Sequence, residues 1–368
     1  MQSKLRKTRK GEPLRSGYTT GACAAAAAKA ATLSFFTQEV IKNVTIKLPA
    51  GERVCFEVSN CSFDISQAQC SVVKDAGDDP DVTDGAEICA TVSWTENKGV
   101  VIERGEGVGF VTKPGLEVPV GMAAINSVPR KMIVQSINEA VNGQLDSKGL
   151  KVIISVPRGE ELAKRTLNRR LGIIGGISIL GTNGVVIPYS IEAYKVSISQ
   201  ALDIAVATGC ETVVLTTGRR SEKYAQEELI LAEESFIQTG DFIGYALTEC
   251  AHRKLAKIII WGMVGKLSKL AAGHFYTNVS DSIVDVSFLA EVSSNCGISK
   301  KVVVAAREAV NAHHFLKLLG THNVRKVCTE LCLLAAQQCQ GYAGRAFEVE
   351  CIMSDYNGTI LGRANAKE

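Results

Sequence analysis

Two arginine pairs, Arg169-Arg170 and Arg219-Arg220, stand beside glycine-rich or strand-ending segments. A guanidinium forks onto a carboxylate through two hydrogen bonds, so such pairs suit a ligand carrying several carboxylates. The bland alternative is an ordinary solvated face. Arg169-Arg170 runs directly into an uncharged stretch, residues 171–191 (LGIIGGISILGTNGVVIPYSI). Its length approaches the roughly 20 apolar residues that a membrane-crossing helix needs. Gly172, Gly175, Gly176, Gly181 and Gly184, with Thr182, Asn183 and Pro188, argue instead for turns and close backbone approach. That backbone suits an anionic or nucleotide-like ligand, and equally a tightly packed strand and turn with no ligand.

A second polar constellation is residues 74–85, KDAGDDPDVTDG, with Asp75, Asp78, Asp79, Asp81 and Asp84. Oxygen-rich loops bind hard cations, but no glutamate closes an EF-hand spacing here. Aspartate, glycine and proline also build turns and caps, or a hydrogen-bonding loop over a polar substrate. The five histidines form no H-x-x-x-H pair and flank no G-x-S-x-G serine, which excludes the common hydrolase templates. His274 stands out because it follows a strand end by one short helix. Twelve cysteines are scattered without a C-x-x-C pair, so zinc-ribbon and redox-motif readings fail. No protein-bound metal is expected.

Those residues need a scaffold of 368 positions, enough for about two domains. A hydrophobic fraction of 46% and a net charge of +3 fit a folded globular chain and do not suggest nucleic acid. Aromatic residues, at 6%, are too few for base-stacking platforms. The N-terminus is basic and polar without a secretory apolar core. The expectation is a cytoplasmic protein with reduced thiols and no membrane association.

Thr19 or Thr20 can cap an alanine-rich helix over 22–31, whose small side chains imply close packing on a sheet or an anion at its N-terminus. Alternation predicts strands at 44–48, 53–58, 69–73, 86–94 and 100–103. A helix at 129–141 closes an α+β domain over residues 1–148. Glycines 105, 107 and 109 resemble half of a dinucleotide fingerprint but lack its strand–turn–helix context. From 149 onward, strands at 151–156, 212–216 and 257–261 alternate with helices at 160–167, 198–208, 222–234, 242–253 and 266–272. This rhythm predicts a Rossmann-like α/β domain over 149–368 with a mainly parallel sheet, a helical C-terminal part and a final hairpin. Parallel sheets bind ligands beyond the carboxyl ends of their strands. Two such ends are unusually polar, Thr216-Thr217-Gly218-Arg219-Arg220 and Gly262-Met263-Val264-Gly265-Lys266. Neither matches a Walker P-loop.

Six blocks together resemble the CbiD family of anaerobic cobalamin biosynthesis, in order and over nearly the whole chain. They are LRSGYTTGACAAAAAKAA (14–31), DAGDDPDVTDG (75–85), GVGFVTKPGLEVPVGMAAINSVPRKMI (107–133), NRRLGIIGGISILGTNGVVIP (168–188), TTGRRSE (216–222) and GMVGKLSKLAAG (262–273). The resemblance implies methyl transfer from S-adenosylmethionine to C-1 of cobalt-precorrin-5B, giving cobalt-precorrin-6A. The methyl is already activated on sulfur, so alignment rather than a nucleophilic residue is required. The cobalt belongs to the substrate. Transient contact with neighbouring pathway enzymes would follow. The chain departs from the family pattern at Ser127, where proline is usual, and at Asn278, where a Thr-His pair is common.

Under that resemblance, the methyl donor is expected in the second domain, on Gly175, Gly176, Gly181, Thr182, Thr217, Gly218, Gly262 and Gly265. The tetrapyrrole is expected between the domains, against Thr19, Thr20, Arg169, Arg170, Arg219, Arg220, Lys266 and the aspartate loop. Asp79, Asp81 and His274 are the candidates for proton handling. The competing readings are a non-catalytic corrinoid-binding protein that keeps the fold, and a nicotinamide-dependent dehydrogenase. The second lacks a complete fingerprint after a first strand.

Overall fold

In a computed structural model the protein is described over residues 13–142 and 148–367. The basic start of the chain, residues 1–12, lies outside the described residues. Two units emerge, Met1–Ile191 and Glu192–Glu368. Both mix helices with sheets.

The first unit opens with β1 (Gly17–Tyr18) and α1 (Thr20–Thr37), followed by the hairpin β2 (Asn43–Lys47) and β3 (Arg53–Glu57). The hairpin alternates as the sequence predicts, with Val44, Ile46, Val54 and Phe56 buried. Then come β4 (Asn60–Phe63), β5 (Gln67–Val73), β6 (Glu87–Thr95), β7 (Val100–Arg104) and β8 (Phe110–Val111), the helix α2 (Ser127–Val141), β9 (Gly149–Ser155) and α3 (Gly159–Ala163). The main sheet has the order β4-β5-β6-β9-β7. Helix α1 packs on β5 and β6 on one side and α2 on the other. Its alanines 22, 24 to 28, 30 and 31 are fully buried. Ala suits that place because its side chain lets two surfaces approach one helix closely while favouring helix formation. The single cation, Lys29, is neutralised by Glu139 Oε2 at 2.6 Å and donates to the Thr45 carbonyl at 2.8 Å. Ser127 is the first helical residue of α2, a position where proline fits because its missing N–H would be unpaired anyway.

The boundary expected at 148/149 is corrected to 191/192. Strand β9 runs antiparallel to β6 and parallel to β7, so it is interior to the first unit's sheet rather than the start of a second domain. The glycine-rich stretch 171–191 belongs to the first unit as well. It threads two short ladders, with β10 (Ile173–Ile174) paired to β8 and β11 (Val185–Val186) paired to β1. Apart from Ile191, the first residue of α4, it is not helical, and beyond the two antiparallel ladders it joins its neighbours through isolated bridges at Ile177 and Ile179. Among the described residues, no helix is long and apolar enough to cross a membrane.

The second unit begins with α4 (Ile191–Ala207), β12 (Thr212–Thr216), α5 (Arg219–Glu228), β13 (Phe236–Gln238), α6 (Ile243–His252), β14 (Lys257–Gly262) and α7 (Val264–Ala271). Four further helices follow: α8 (Val286–Asn295), α9 (Lys300–Arg307), α10 (Ala312–Leu319) and α11 (Thr321–Tyr342). The chain closes with the hairpin β15 (Glu348–Ser354) and β16 (Ile360–Asn365). The sheet order is β13-β12-β14-β15-β16, parallel throughout except for β16. Three strand cores, Val213–Leu215, Ile258–Ile260 and Val349–Met353, are buried runs without alternation, as a sheet covered on both faces requires. The helix expected at 222–234 starts earlier and stops at Glu228, and the three-residue strand β13 lies beyond it.

Candidate active site

In the second unit the chain leaves β12 for β13 on one flank, then crosses back to β14 on the other. The crevice beyond the carboxyl ends of β12 and β14 is therefore a topological switch point, where open parallel sheets bind ligands. Both polar strand ends meet there. The Thr217 N–H donates to the Trp261 carbonyl at 3.1 Å. Lys266 Nζ donates to the Thr217 carbonyl at 2.7 Å. A Cβ on Gly262 would sit 3.0 Å from Thr217 Cγ2, so glycine sets the spacing of the two ends.

Helices α5 and α7 start at these ends, and no side chain caps either one. The first N–H groups of α5, and those of Val264 and Gly265 in α7, are thus available to an acceptor, while the Lys266 N–H bonds the Met263 carbonyl at 3.1 Å. Gly218, just before α5, and Gly265, in the first turn of α7, have no atom within 4 Å of where a Cβ would stand. The result is an open, donor-rich cradle between the strand ends.

Asp241 faces this cradle from the loop after β13. Its Oδ1 receives Lys266 Nζ at 3.1 Å and Thr277 Oγ1 at 3.1 Å, and its Oδ2 receives Asn278 Nδ2 at 3.3 Å. Lys269 is 5% exposed and donates to the Thr277 carbonyl at 2.9 Å. Burial pulls the Lys269 ammonium below the usual lysine range, against the pull of Asp241 and with the like charge of Lys266. Two cations and one carboxylate so close together leave the cluster with a local positive excess.

Sequence reasoning missed Asp241, Lys269 and Thr277. The signal was present as the T-G-D run at 239–241, but the strand before it, Phe236–Gln238, is only three residues long and fell in the gap between the helices expected at 222–234 and 242–253. Lys266 was expected to touch the substrate, and its ammonium instead bridges Thr217 and Asp241. Asn278, at the position of the departure noted above, keeps a donor on that same carboxylate.

The remaining expected residues are placed differently. Arg219 and Arg220 are the first residues of α5 and both are exposed. The Arg220 guanidinium lies 5.4 Å from the Tyr356 ring centroid. His274 is exposed, and its backbone N–H closes α7 on the Lys269 carbonyl at 2.9 Å. Gly175, Gly176, Gly181 and Thr182 lie in the first unit, so the expectation that they share the second domain with the strand ends is corrected. They form a tight internal weave. A Cβ on Gly176 would fall 2.1 Å from the Gly107 carbonyl oxygen, and Gly181 adopts φ +131° against Thr19. Buried Asn168 braces the weave, donating to the Gly176 carbonyl at 3.0 Å and accepting from Ser178 Oγ at 3.3 Å. Arg169 is exposed and Arg170 half-buried beside it.

Thr19 caps α1 through a bond from the Ala22 N–H at 3.2 Å. Thr20 Oγ1 accepts from the Leu180 N–H at 2.9 Å. The aspartate loop is likewise knitted inward. Asp79 Oδ1 accepts from the Tyr189 N–H at 2.8 Å, and Asp84 Oδ1 from the Ala76 N–H at 2.8 Å. Asp81 pairs with Lys74 Nζ at 2.8 Å and receives two bonds from Thr83. Burial pushes the Asp81 carboxyl up, but Lys74 and the Thr83 donors outweigh it and hold it below the usual range. These contacts make Asp79 and Asp81 elements of the loop's architecture.

The CbiD family model matches residues 7–188, and the model of the CbiD C-terminal domain matches residues 276–365. A protein of Geobacillus thermodenitrificans (strain NG80-2) named cobalt-precorrin-5B C(1)-methyltransferase is 48% identical over 352 residues, 95% of each chain. One of the same name from Priestia megaterium is 46% identical over 356 residues, covering 95% of this chain and 96% of its own. Among solved structures, cobalamin biosynthesis protein (cbiD) from Archaeoglobus fulgidus is 31% identical, covering 75% of this chain and 90% of that one, with a TM-score of 0.39.

Proposed function

The chain belongs to the CbiD family, and from that premise we propose that it methylates C-1 of cobalt-precorrin-5B, with S-adenosylmethionine as donor, to give cobalt-precorrin-6A. The names of its relatives support the reaction. The observation that carries the placement is the cradle of Gly218 and Gly265, open at both helix starts and tied by Lys266. The donor set fits a zwitterionic nucleoside derivative. Amide N–H groups and Lys266 suit its carboxylate, and Asp241 suits hydroxyl or ammonium donors.

When bound, S-adenosylmethionine supplies a methyl group on a positively charged sulfur, which keeps the electron pair of the broken bond. The protein's task is then orientation. Holding donor and ring carbon in line can lower the barrier by about 7–11 kcal/mol. Thr217, Gly218, Gly262 and Gly265 form the floor of the donor site in this reading. Lys266 fixes Asp241, so that the carboxylate is pre-oriented before ligand arrives. The buried positive charge of Lys269 favours the anionic end of the ligand. In the second unit, Arg219 and Arg220 at the start of α5 offer forks for acetate or propionate groups of the macrocycle.

We read the second unit as Rossmann-like, a reading supported by its four parallel strands and the switch point between β12 and β14. All twelve cysteines are free thiols, which supports a reducing, cytoplasmic setting. Methyl-labelled S-adenosylmethionine incubated with cobalt-precorrin-5B and the protein is expected to deliver label to the macrocycle. Tight tetrapyrrole binding with no transfer would leave only a corrinoid-binding role.

A further inference from the structure

Cys61 on β4 and Cys70 on β5 stand directly opposite each other in an antiparallel pair. Their sulfur atoms are 3.2 Å apart. The kind of rung they occupy follows from the register. The Asp64 N–H donates to the Gln67 carbonyl at 2.8 Å, which makes that rung a hydrogen-bonded one. Rungs alternate along an antiparallel ladder, so Ser62 and Gln69 form the next hydrogen-bonded pair and Cys61 and Cys70 a non-hydrogen-bonded pair. In such a pair the α-carbons lie about 4.5 Å apart and the side chains are closest, within the 4.4–6.8 Å range a disulfide tolerates.

Access is graded across the pair. Strand β4 is an edge strand, and Cys61 is half-buried there. Cys70 is fully buried behind it. The Cys70 thiol donates to Cys61 Sγ, which also accepts from the Ile41 N–H at 3.5 Å and donates to Ser34 Oγ at 3.3 Å. The Cys70 thiol thus already points at Cys61 Sγ. Burial pushes the Cys70 thiol up, which makes Cys61 the sulfur that meets an oxidant first. By contrast Cys328, Cys332, Cys339 and Cys351 are sealed in the second unit's core.

We propose that Cys61 and Cys70 are a reversible dithiol that closes to a cross-strand disulfide on reaction with a small-molecule disulfide of the glutathione type. Cys61 thiolate attacks one sulfur of that molecule, forms a mixed disulfide and releases one small thiol. Cys70 then loses its proton and attacks Cys61 Sγ, expelling the second small thiol, which takes up that proton. Two protein thiols are oxidised by two electrons, and the small disulfide is reduced to two thiols. The closed bond staples the edge strand β4 to the sheet interior without a change of register.

The test uses the full chain treated with oxidised glutathione, then alkylated and cleaved on the N-terminal side of aspartate. Cleavage at Asp64 and Asp75 puts Cys61 and Cys70 on different peptides. The expected result is one species containing both peptides, separated again by dithiothreitol. It should be lost in Cys61→Ser and in Cys70→Ser and retained in Cys55→Ser. Full alkylation of both cysteines after oxidation, pairing of Cys61 with Cys55, or a glutathione adduct on Cys61 as the end product would overturn the proposal. The wild-type protein supplies a second measurement that needs no variant. Its oxidised form should melt at a higher temperature than its reduced form, reversibly, because the crosslink restricts the unfolded chain. An equal or lower Tm would mean that the native register does not accommodate the bond.

Discussion

Lys266 Nζ reaches the Thr217 carbonyl at 2.7 Å and Asp241 Oδ1 at 3.1 Å, joining the ends of three neighbouring strand segments through one ammonium. Lys266→Met keeps the aliphatic stem and removes the charge. Hydrogen bonds to charged groups contribute about 1.5–3 kcal/mol. We expect S-adenosylmethionine affinity to fall by roughly 10- to 100-fold in titration calorimetry, with unchanged circular dichroism. Asn278→Ala should give a smaller loss and Asn278→His close to none, because an imidazole N–H can replace the amide donor to Asp241. Equal affinity for wild type and Lys266→Met would remove this cluster from the donor site.

The glycines of the second unit separate ligand space from packing space. Gly265→Ala adds a methyl to an open position in a helix, where Ala is favoured by about 1 kcal/mol over Gly. Stability should hold or rise, while affinity for S-adenosylmethionine should drop by at least about tenfold. Gly218→Ala should lose affinity alike, with a small cost in stability, because Gly218 is the N-cap of α5, where Ala is less favoured than Gly. Retained affinity in both variants would show that the ligand lies elsewhere.

Gly181→Ala is the opposite case. Its φ of +131° and a Cβ only 2.4 Å from Thr19 Oγ1 leave no room for a methyl. A cost of about 1–3 kcal/mol is expected in urea unfolding, with displacement of the α1 cap. A neutral variant would mean the weave around α1 is looser than its hydrogen bonds imply.

Breaking the Lys74–Asp81 pair should act through the fold. Lys74 is 1% exposed, so Asp81→Asn strands a buried ammonium at a cost on the order of 3 kcal/mol. Lys74→Met combined with Asp81→Asn should recover much of the loss. Folded Asp81→Asn protein, assayed well below its melting temperature, should retain its turnover. A large loss of turnover at full folding would return Asp81 to the chemistry.

Asp75 provides a pH signature. The Arg15 hydrogen bonds and the Gly77 N–H hold its carboxyl at about 2, below the usual unfolded value near 3.9. A carboxyl depressed on folding contributes stability that is present above about pH 4 and fades as pH falls toward 2. The Asp75→Asn variant should therefore unfold at lower urea than wild type at pH 7, and the two should converge near pH 2. The pair is half exposed, so the gap should be modest and shrink in salt. A gap independent of pH would assign the effect to shape instead of charge.

Much of the protein was legible in local pattern. Alternation in 44–48 and 53–58 gave a hairpin because one face of it is buried and the other wet. The alanine run gave a helix capped at Thr19 because both signals act over four or five residues. The buried runs at 212–216 and 257–261 marked parallel strands, and their polar ends marked the crevice. What local pattern did not contain was partnership over distance. Strand 149–155 reads like the start of a new α/β rhythm, yet it pairs with β6 and β7, because strand pairing depends on partners far away in sequence. The stretch 171–191 keeps its close backbone approach, but the surfaces it approaches are Gly107 and Thr19 of the first unit. The T-G-D run at 239–241 did not by itself mark Asp241 for the same reason. Its role comes from Lys266, Thr277 and Asn278, which lie 25 or more positions away and meet it only when the crossover sets the carboxyl ends of β13 and β14 on either side of β12. Composition and periodicity determined which segments form, and the six sequence blocks carried the resemblance to the family. The tertiary structure decided which polar groups share a crevice, because that choice is made by long-range packing of the sheet.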